Sequence, residues 1–269
     1  MNFSADLKIG LRIALRARLL SVTFWLVLAL LAIAWMAAQF SGRQPATVAL
    51  DVGLSVIRLA LPFVVVLLLQ ELFSREFDRR LFLTSLTYPR SRHLFLLGRF
   101  FAVLVLVIGQ LLVLAAGLAV LVAVLAREYA QATPVALDHR YLITVAFLAI
   151  DLLVIGALGT LIAVTASTPS FVLIGTLGFM LAARSFSTIV ALLERESYLV
   201  SNAAGYQFSL NQLGYVLPDL AALDVRMIAL YGRMEFLPQD WLIRVGAILA
   251  YVIALLSIAV WAINRKRFA

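Results

Sequence analysis

The chain has 269 residues, of which 64% are apolar and 13% charged, and its mean hydropathy is +1.04. Because soluble domains contain roughly 45–50% apolar residues, this composition excludes a soluble globular protein and predicts an integral membrane protein. The absence of cysteine excludes disulfides and thiolate metal sites, and the net charge of +8 indicates cytoplasmic anchoring at a membrane rather than a nucleic-acid partner.

Residues 1–18 carry basic side chains ahead of the first apolar run. Lys8, Arg12 and Arg16 recur at intervals of four and share one face of a helix, with apolar side chains on another face. This pattern predicts a helix that lies in the cytoplasmic interface of the membrane. An ordinary cluster of charges flanking a span is the alternative. No convincing small-residue cleavage site follows, so we expect the first span to be retained rather than removed as a signal peptide.

Six apolar runs are long enough to cross a membrane, since a helix needs about 20 residues to span a hydrocarbon core of roughly 30 Å. The runs are continuous rather than alternating, which favours helices over membrane β-strands. The predicted spans are Leu19–Phe40, Val52–Phe73, Phe100–Ala126, Tyr141–Ala166, Pro169–Leu193 and Trp241–Ile263. The third run would form a helix of about 40 Å, so we expect it to tilt or to extend out of the membrane.

The distribution of basic residues predicts the orientation of these spans. With six spans both ends of the chain share one side of the membrane, and that side carries about twice as many Lys and Arg residues as the other. Both termini and the segment between the second and third spans are therefore predicted to be cytoplasmic. Residues 194–240 are predicted to be extracytoplasmic.

The segment over residues 74–99 is unusually rich in charge for this chain. Together with its upstream neighbour, its charged residues are Glu71, Arg75, Glu76, Asp78, Arg79, Arg80, Arg90, Arg92 and Arg99. Tyr88-Pro89 breaks a helix, because proline cannot continue the hydrogen-bond ladder and restricts the residue before it. Ser91 can then cap a new helix that runs into the third span. The pattern predicts a short helix, a proline turn and a re-entry.

Two ionisable side chains lie deep within predicted spans, where they are costly and of functional interest. Asp151, about ten residues into the fourth span, takes part either in a proton or cation relay or in an interhelical contact, with Arg58 or with Ser and Thr groups. The contact is favoured because no second mid-membrane acid accompanies Asp151. Arg58 can alternatively extend to the outer interface, and we interpret Arg184 and Arg244 in that same way.

The last third of the chain contains small residues and then an aromatic-rich loop. Close helix packing, within the chain or between two chains, is predicted at Gly156, Gly159, Gly175 and Gly178. Within residues 194–240, Asn211–Val216 and Leu220–Tyr231 are predicted to form short amphipathic helices. The aromatic side chains of this loop suit the membrane interface, and an outer gate or a cap that docks a partner is the alternative.

The sequence lacks the motifs of nucleotide hydrolysis and of common hydrolases. A P-loop requires Gly-Lys-Ser/Thr, and neither Lys8 nor Lys266 follows a glycine. HExxH and GxSxG are also absent. His93 and His139 fall on opposite predicted sides of the membrane, which disfavours a paired-imidazole metal site. We therefore expect no enzymatic activity, no cofactor and no metal site in this chain.

The loop residues carry a family resemblance. Glu76, Leu81, Leu86, Pro89-Arg90-Ser91-Arg92 and Leu96-Leu97-Gly98-Arg99-Phe100 resemble the cytoplasmic loop of type-2 ABC transporter permeases. The wider pattern of an interfacial helix, six spans and a long outer segment resembles that family over nearly the whole chain. It is most similar to the small permeases, such as the one that serves nitrous oxide reductase maturation. One departure is Arg79-Arg80-Leu81, where the family often has Gly-Thr-Leu.

The resemblance implies one transmembrane permease domain over residues 1–269. Within it, an interfacial helix is expected over 1–18, a cytoplasmic coupling loop over 74–99 and an extracytoplasmic segment over 194–240. The protein would lie in the cytoplasmic membrane of a bacterium and export its substrate. Its expected partners are a second permease chain, a separate ATPase that holds ATP and Mg, and an extracytoplasmic accessory protein.

The residues that would couple to the ATPase follow from the same resemblance. They are Glu71, Arg75, Glu76, Asp78, Arg79, Arg80, Tyr88, Pro89, Arg90, Arg92 and Arg99, with the interfacial residues Lys8, Arg12 and Arg16 beside them. Two alternatives stay open. One is an ion- or proton-coupled carrier centred on Asp151, and the other is a membrane anchor that transports nothing.

Overall fold

The computed structural model describes residues 10–12, 19–74, 92–128, 134–166, 168–195 and 217–265. Several residues singled out from the sequence lie outside these ranges: Lys8, Arg16, Arg75, Glu76, Asp78, Arg79, Arg80, Tyr88, Pro89 and Arg90. The predicted helix over 211–216 lies outside them as well. Residues 10–12 are helical.

Helices joined by loops make up the described residues, which contain no strand. The helices are α1 (Leu19–Phe40), α2 (Pro45–Leu69), α3 (Arg92–Glu128), α4 (His139–Thr165), α5 (Pro169–Arg195), α6 (Arg226–Tyr231) and α7 (Trp241–Arg265). A π-helical turn, Gln70–Ser74, follows α2, and the short 3₁₀ turns Ala221–Leu223 and Met234–Phe236 flank α6.

Six of these helices, α1 to α5 and α7, are long and apolar enough to cross a membrane. The prediction of an all-α integral membrane protein with six transmembrane helices is therefore confirmed. The bounds of α1 are those predicted, whereas α2 begins at Pro45 rather than at Val52. Proline is favoured in the first turn of a helix, because its missing N–H would have no partner there.

The third span is longer than its apolar run, as the sequence predicts. With 37 residues, α3 is about 55 Å long, well beyond a hydrocarbon core of roughly 30 Å. It begins at Arg92, inside the segment predicted as the coupling loop, and continues into the apolar run that starts at Phe100, which agrees with the predicted helix start after Ser91. Gln110 in its middle donates a hydrogen bond from Nε2 to Thr23 Oγ1 at 2.7 Å, which joins α3 to α1.

The spans run alternately up and down, so the bundle has two ends. We call residues 217–240 the cap segment and the end that carries it the cap end. The opposite end holds the turn between α4 and α5, and we call it the turn end. A backbone hydrogen bond of 2.9 Å from Ala136 N to Ala229 O ties the cap segment to the chain that precedes α4.

Helix α4 lies at the centre of the bundle and is the most buried of the six spans. It packs against α2, α3, α5 and α7, and the cap segment covers its first half. Tyr141 in its first turn donates a hydrogen bond to the carbonyl oxygen of Ala115 at 2.7 Å. A site in the interior of this bundle is therefore built from side chains of α4 and of the helices that pack against it.

Three of these helices, α2, α4 and α5, lie close together at Gly159 of α4. A Cβ atom at this position would lie 2.4 Å from Leu69 Cδ1 of α2 and 3.4 Å from Thr176 of α5. Gly156 and Gly175 also face neighbouring side chains, whereas a Cβ at Gly178 would meet nothing within 4 Å. Gly159 thus permits close helix packing, as predicted, whereas Gly178 packs against no other helix among the described residues.

Replacement of Gly159 by Leu should destabilise the bundle by about 1–3 kcal/mol, because the added side chain overpacks the junction of α2, α4 and α5. The matched control is Gly178→Leu, which should be neutral or slightly stabilising, since it gains helix propensity without a clash. Unfolding of both variants in detergent gives the comparison. Equal stability of the two variants would contradict the packing described here.

Candidate functional site

Asp151 lies about halfway along α4, and its side chain is only 2% exposed. A carboxylate at such a position is costly unless a cation and hydrogen bonds accompany it. Arg184 of α5 donates a hydrogen bond from Nη2 to Asp151 Oδ2. Arg58 of α2 places Nε 4.0 Å from the same oxygen. The buried carboxylate therefore joins three spans.

Arg184 has a second acceptor, which α2 provides because of Pro62. Arg184 Nη1 donates a hydrogen bond to the backbone oxygen of Arg58 at 3.1 Å. In an uninterrupted helix this oxygen would accept from the N–H four residues later, but that residue is Pro62, which has no N–H. The guanidinium of Arg184 takes the place of the missing donor.

Arg58 extends the contact from the spans to the cap segment. Its Nη1 forms an ion pair and hydrogen bond with Asp224 Oδ2. Its Nη2 donates to the backbone oxygen of Leu220 at 2.8 Å. Leu220 and Asp224 lie on either side of the 3₁₀ turn in the cap segment. One side chain of α2 thus holds that turn at both ends.

Arg226, the first residue of α6, makes a second connection between the cap segment and α2. Its Nη1 lies 3.0 Å from Asp51 Oδ1 and donates to Ser55 Oγ at 2.5 Å. Its Nε lies 3.5 Å from Asp224 Oδ1. Asp224 therefore lies between Arg226 and Arg58 and contacts both.

These side chains form one charged network. Its members are Asp51, Arg58, Asp151, Arg184, Asp224 and Arg226. Three arginines face three aspartates, so the formal charges cancel. Pairing of this kind is what allows ionisable groups to persist inside a bundle of transmembrane helices.

A pocket of about 470 Å³ lies where the cap segment meets α2, α4 and α5. Its polar wall consists of Ser55, Arg58, Thr144, Arg184, Asp224 and Arg226. Its apolar wall includes Leu54, Leu59, Leu148, Leu223 and Val225. Pockets that bind small molecules commonly measure roughly 300–1,000 Å³. The described residues contain no group of three or more His, Cys, Asp or Glu side chains that could hold a metal ion.

Sequence reasoning found part of this site. The interhelical contact of Asp151 with Arg58 is present, at the edge of ion-pair distance. The interpretation of Arg184 as a side chain that only extends to the outer interface is wrong, because its guanidinium contacts Asp151 and α2. Asp224 and Arg226 were missed, although two opposite charges separated by a single residue, with apolar residues around them, were a usable signal.

The flanks of the predicted coupling loop lie at the turn end. Glu71 belongs to the π-helical turn that follows α2, and its neighbour Gln70 donates from Nε2 to the backbone oxygen of Pro169 at 2.8 Å. Arg92 Nη1 at the start of α3 donates to the backbone oxygens of Ile263 at 3.3 Å and Asn264 at 3.2 Å. The two flanks are therefore attached to α5 and α7.

Arg99 and Arg12 occupy different surroundings. Arg99 is only 5% exposed, and its guanidinium lies 5.4 Å from the ring centroid of Phe95. It is also close to Gly10, where a Cβ would lie 3.6 Å from Arg99 Nη1 and 2.7 Å from Ala102 Cβ. Arg12 is exposed. The helical residues 10–12 thus pack on α3 through Gly10 and leave Arg12 accessible.

Comparison with known proteins assigns the chain to no family, since no family model matches the sequence and no curated protein is significantly similar to it. The structure itself shows a multi-pass α-helical membrane protein with a charged network in its bundle. A proposal of function therefore depends on this geometry and on the pattern of the loop over residues 74–99.

Replacement of Asp151 by Asn should destabilise the protein by about 3–5 kcal/mol, because it leaves buried guanidinium groups without their carboxylate. Adding Arg184→Gln to this variant should restore part of the loss, since the remaining Arg58 and Asp224 still balance. Asp240→Asn is the matched control, as Asp240 pairs with Arg244 at an exposed site and should cost no more than about 1 kcal/mol. Unfolding in detergent measures all three, and equal losses for Asp151→Asn and Asp240→Asn would refute the structural role.

Proposed function

We propose that this chain is the membrane-spanning permease subunit of an ABC transporter. In this proposal it exports a substrate across the cytoplasmic membrane of a bacterium, with energy from ATP hydrolysed on a separate subunit. A second permease chain pairs with it, and ATP and Mg are held by the ATPase. Six apolar helices and the resemblance of the loop over residues 74–99 support this assignment.

The observation that carries the proposal is the attachment of both loop flanks to other helices. Before the loop, Gln70 bonds to Pro169 at the start of α5. After it, Arg92 bonds to the last turn of α7. Hydrogen bonds that involve a charged donor are stronger than neutral ones. A force applied to residues 75–91 would therefore reach α2, α3, α5 and α7 together, as a coupling element requires.

The positions of the candidate coupling residues refine the contact surface. Glu71 lies shortly before residues 75–91 and Arg92 directly after them. Arg99 is buried against Phe95, so it acts in this proposal by holding α3 rather than by meeting the ATPase. Arg12 is exposed beside the same end of α3 and is available to a partner or to lipid headgroups.

An ion- or proton-coupled carrier is the second candidate, favoured by the pocket that lies beside Asp151. In such a carrier the carboxylate would bind the coupling ion. Asp151 Oδ2, however, is engaged by Arg184 and lies near Arg58. The other oxygen, Oδ1, accepts no hydrogen bond from the described residues, but a cation bound there would lie beside two guanidinium groups that repel it, and the permease proposal requires no such arrangement.

The orientation can be tested directly because the chain contains no cysteine. We expect Arg43→Cys, in the exposed turn between α1 and α2, to react with a membrane-impermeant maleimide added to intact cells. Thr168→Cys, in the exposed turn between α4 and α5, should react only after the membrane is opened. The reverse labelling pattern would place both termini outside the cytoplasm and remove the loop from any cytoplasmic ATPase.

Charge reversal of the loop tests the coupling itself. In the proposal Arg79 and Arg80 pair with an acidic face of the ATPase, so the paired change Arg79→Glu and Arg80→Glu should reduce the amount of P-loop ATPase that co-purifies with the tagged chain at least about tenfold, because the introduced acids and that face repel. Arg233→Glu, an exposed arginine of the cap segment, is the matched control and should leave recovery unchanged. Absence of any ATPase from preparations of the unaltered chain from its native membrane would refute the proposed function.

A further inference from the structure

The walls of the pocket differ from the network as a whole in their charge. The network balances three arginines with three aspartates, but Asp51 and Asp151 do not line the pocket. Its charged lining residues are three arginines and Asp224. Each guanidinium carries five N–H donors, and the hydrogen bonds described above use only some of them. The pocket therefore offers positive charge and spare donors, which suit an anion.

The apolar side chains of the pocket indicate an apolar part of the same ligand. Leu54, Leu148 and Leu223 line it in the interior. Leu59 also lines it and is 56% exposed on the outer face of α2. Because α2 is a candidate membrane span, an exposed leucine on it faces lipid or another apolar surface. The apolar wall thus continues from the pocket to the face of the bundle.

We propose that this pocket binds an amphiphilic organic anion, in which a carboxylate or phosphate head carries an apolar chain. The head contacts Arg58 and Arg226 and takes the place of the Asp224 carboxylate, which contacts both arginines in the structure. The apolar chain lies along the leucines. As the class of substrate that is exported, this ligand rests on the permease function proposed above; as a binding site, it does not.

Competition with Asp224 has a structural consequence. Asp224 is the carboxylate through which the cap segment holds Arg58, and Leu220 supplies only a backbone oxygen. An anionic head that displaces Asp224 breaks its ion pair with Arg58 and, because it also contacts Arg226, bridges the cap segment to α2 in its place. Binding of the ligand therefore exchanges one contact between the cap segment and α2 for another, while Arg226 keeps its contacts with Asp51 and Ser55.

Calorimetric titration of the purified full chain in a neutral detergent, with octyl phosphate as the probe, tests the inference. Arg226→Gln should weaken binding about tenfold, because it removes a charged hydrogen-bond partner. Asp224→Asn should tighten binding by a similar factor, since it removes the competing charge. Misfolding can only weaken binding, so this gain separates the proposal from a general loss of structure. Arg244→Gln, an exposed arginine outside the pocket, should leave the affinity unchanged.

Two further probes test the two parts of the ligand. Inorganic phosphate, which has no apolar chain, and octyl glucoside, which has no charge, should each bind much more weakly than octyl phosphate. Equal affinity of Asp224→Asn and the unaltered chain, or an equal loss in Arg226→Gln and Arg244→Gln, would overturn the proposal. Binding of inorganic phosphate as tight as that of octyl phosphate would overturn the amphiphilic part.

Lipid discs distinguish the natural sources of such an anion. If phosphatidate in the disc reduces the apparent affinity for octyl phosphate, the source is a bilayer lipid. If probe binding is the same with and without phosphatidate, the source is a free amphiphile; both results support the pocket. The assay needs no ATPase, so failed binding beside a co-purifying ATPase overturns this inference alone. If the probe binds but no ATPase co-purifies with the chain, the binding site is supported and the proposed export function is refuted.

Discussion

The organisation of this protein depends on one buried carboxylate. Asp151 stands in the middle of the most central helix, where neither water nor lipid can stabilise its charge. Its requirement for cations fixes the direction in which α2 and α5 present Arg58 and Arg184. Once those helices are set, Arg58 reaches the cap segment through Asp224. The pairing of one buried carboxylate thus fixes the relative orientation of three spans and of the cap segment.

Helix α2 is shared by the two parts of the molecule that matter for function. Arg58 and Ser55 belong to the pocket, and the π-helical turn Gln70–Ser74 leads into the loop. From Arg58 to Ser74 the helix rises about 24 Å. Under the proposed function, events at the cap end and at the ATPase are therefore joined by one continuous element, with Asp224 at one end and the loop at the other.

Hydropathy sufficed for the number, type and approximate bounds of the spans, because length and composition determine which runs can cross a membrane. It placed the start of α2 too late, since Asp51 interrupts an otherwise apolar beginning that Pro45 opens. It also singled out Asp151 and Arg58. The spacing of Asp224 and Arg226 could have drawn attention to them, but the partners of Arg184, Asp224 and Arg226 could not be predicted, because these depend on which faces distant helices turn towards one another and on how the cap segment folds.

Pro62 gives the interior of this bundle a property that its charges alone do not supply. By lacking an N–H it releases the carbonyl of Arg58 from the ladder of α2, and Arg184 of another helix binds that oxygen. An ordinary residue at this position would make the helix and the neighbouring arginine compete for one acceptor. With proline, the competition cannot arise. Helix α2 therefore has one internal hydrogen bond fewer, and the carbonyl that is left over accepts a hydrogen bond that links α2 to α5.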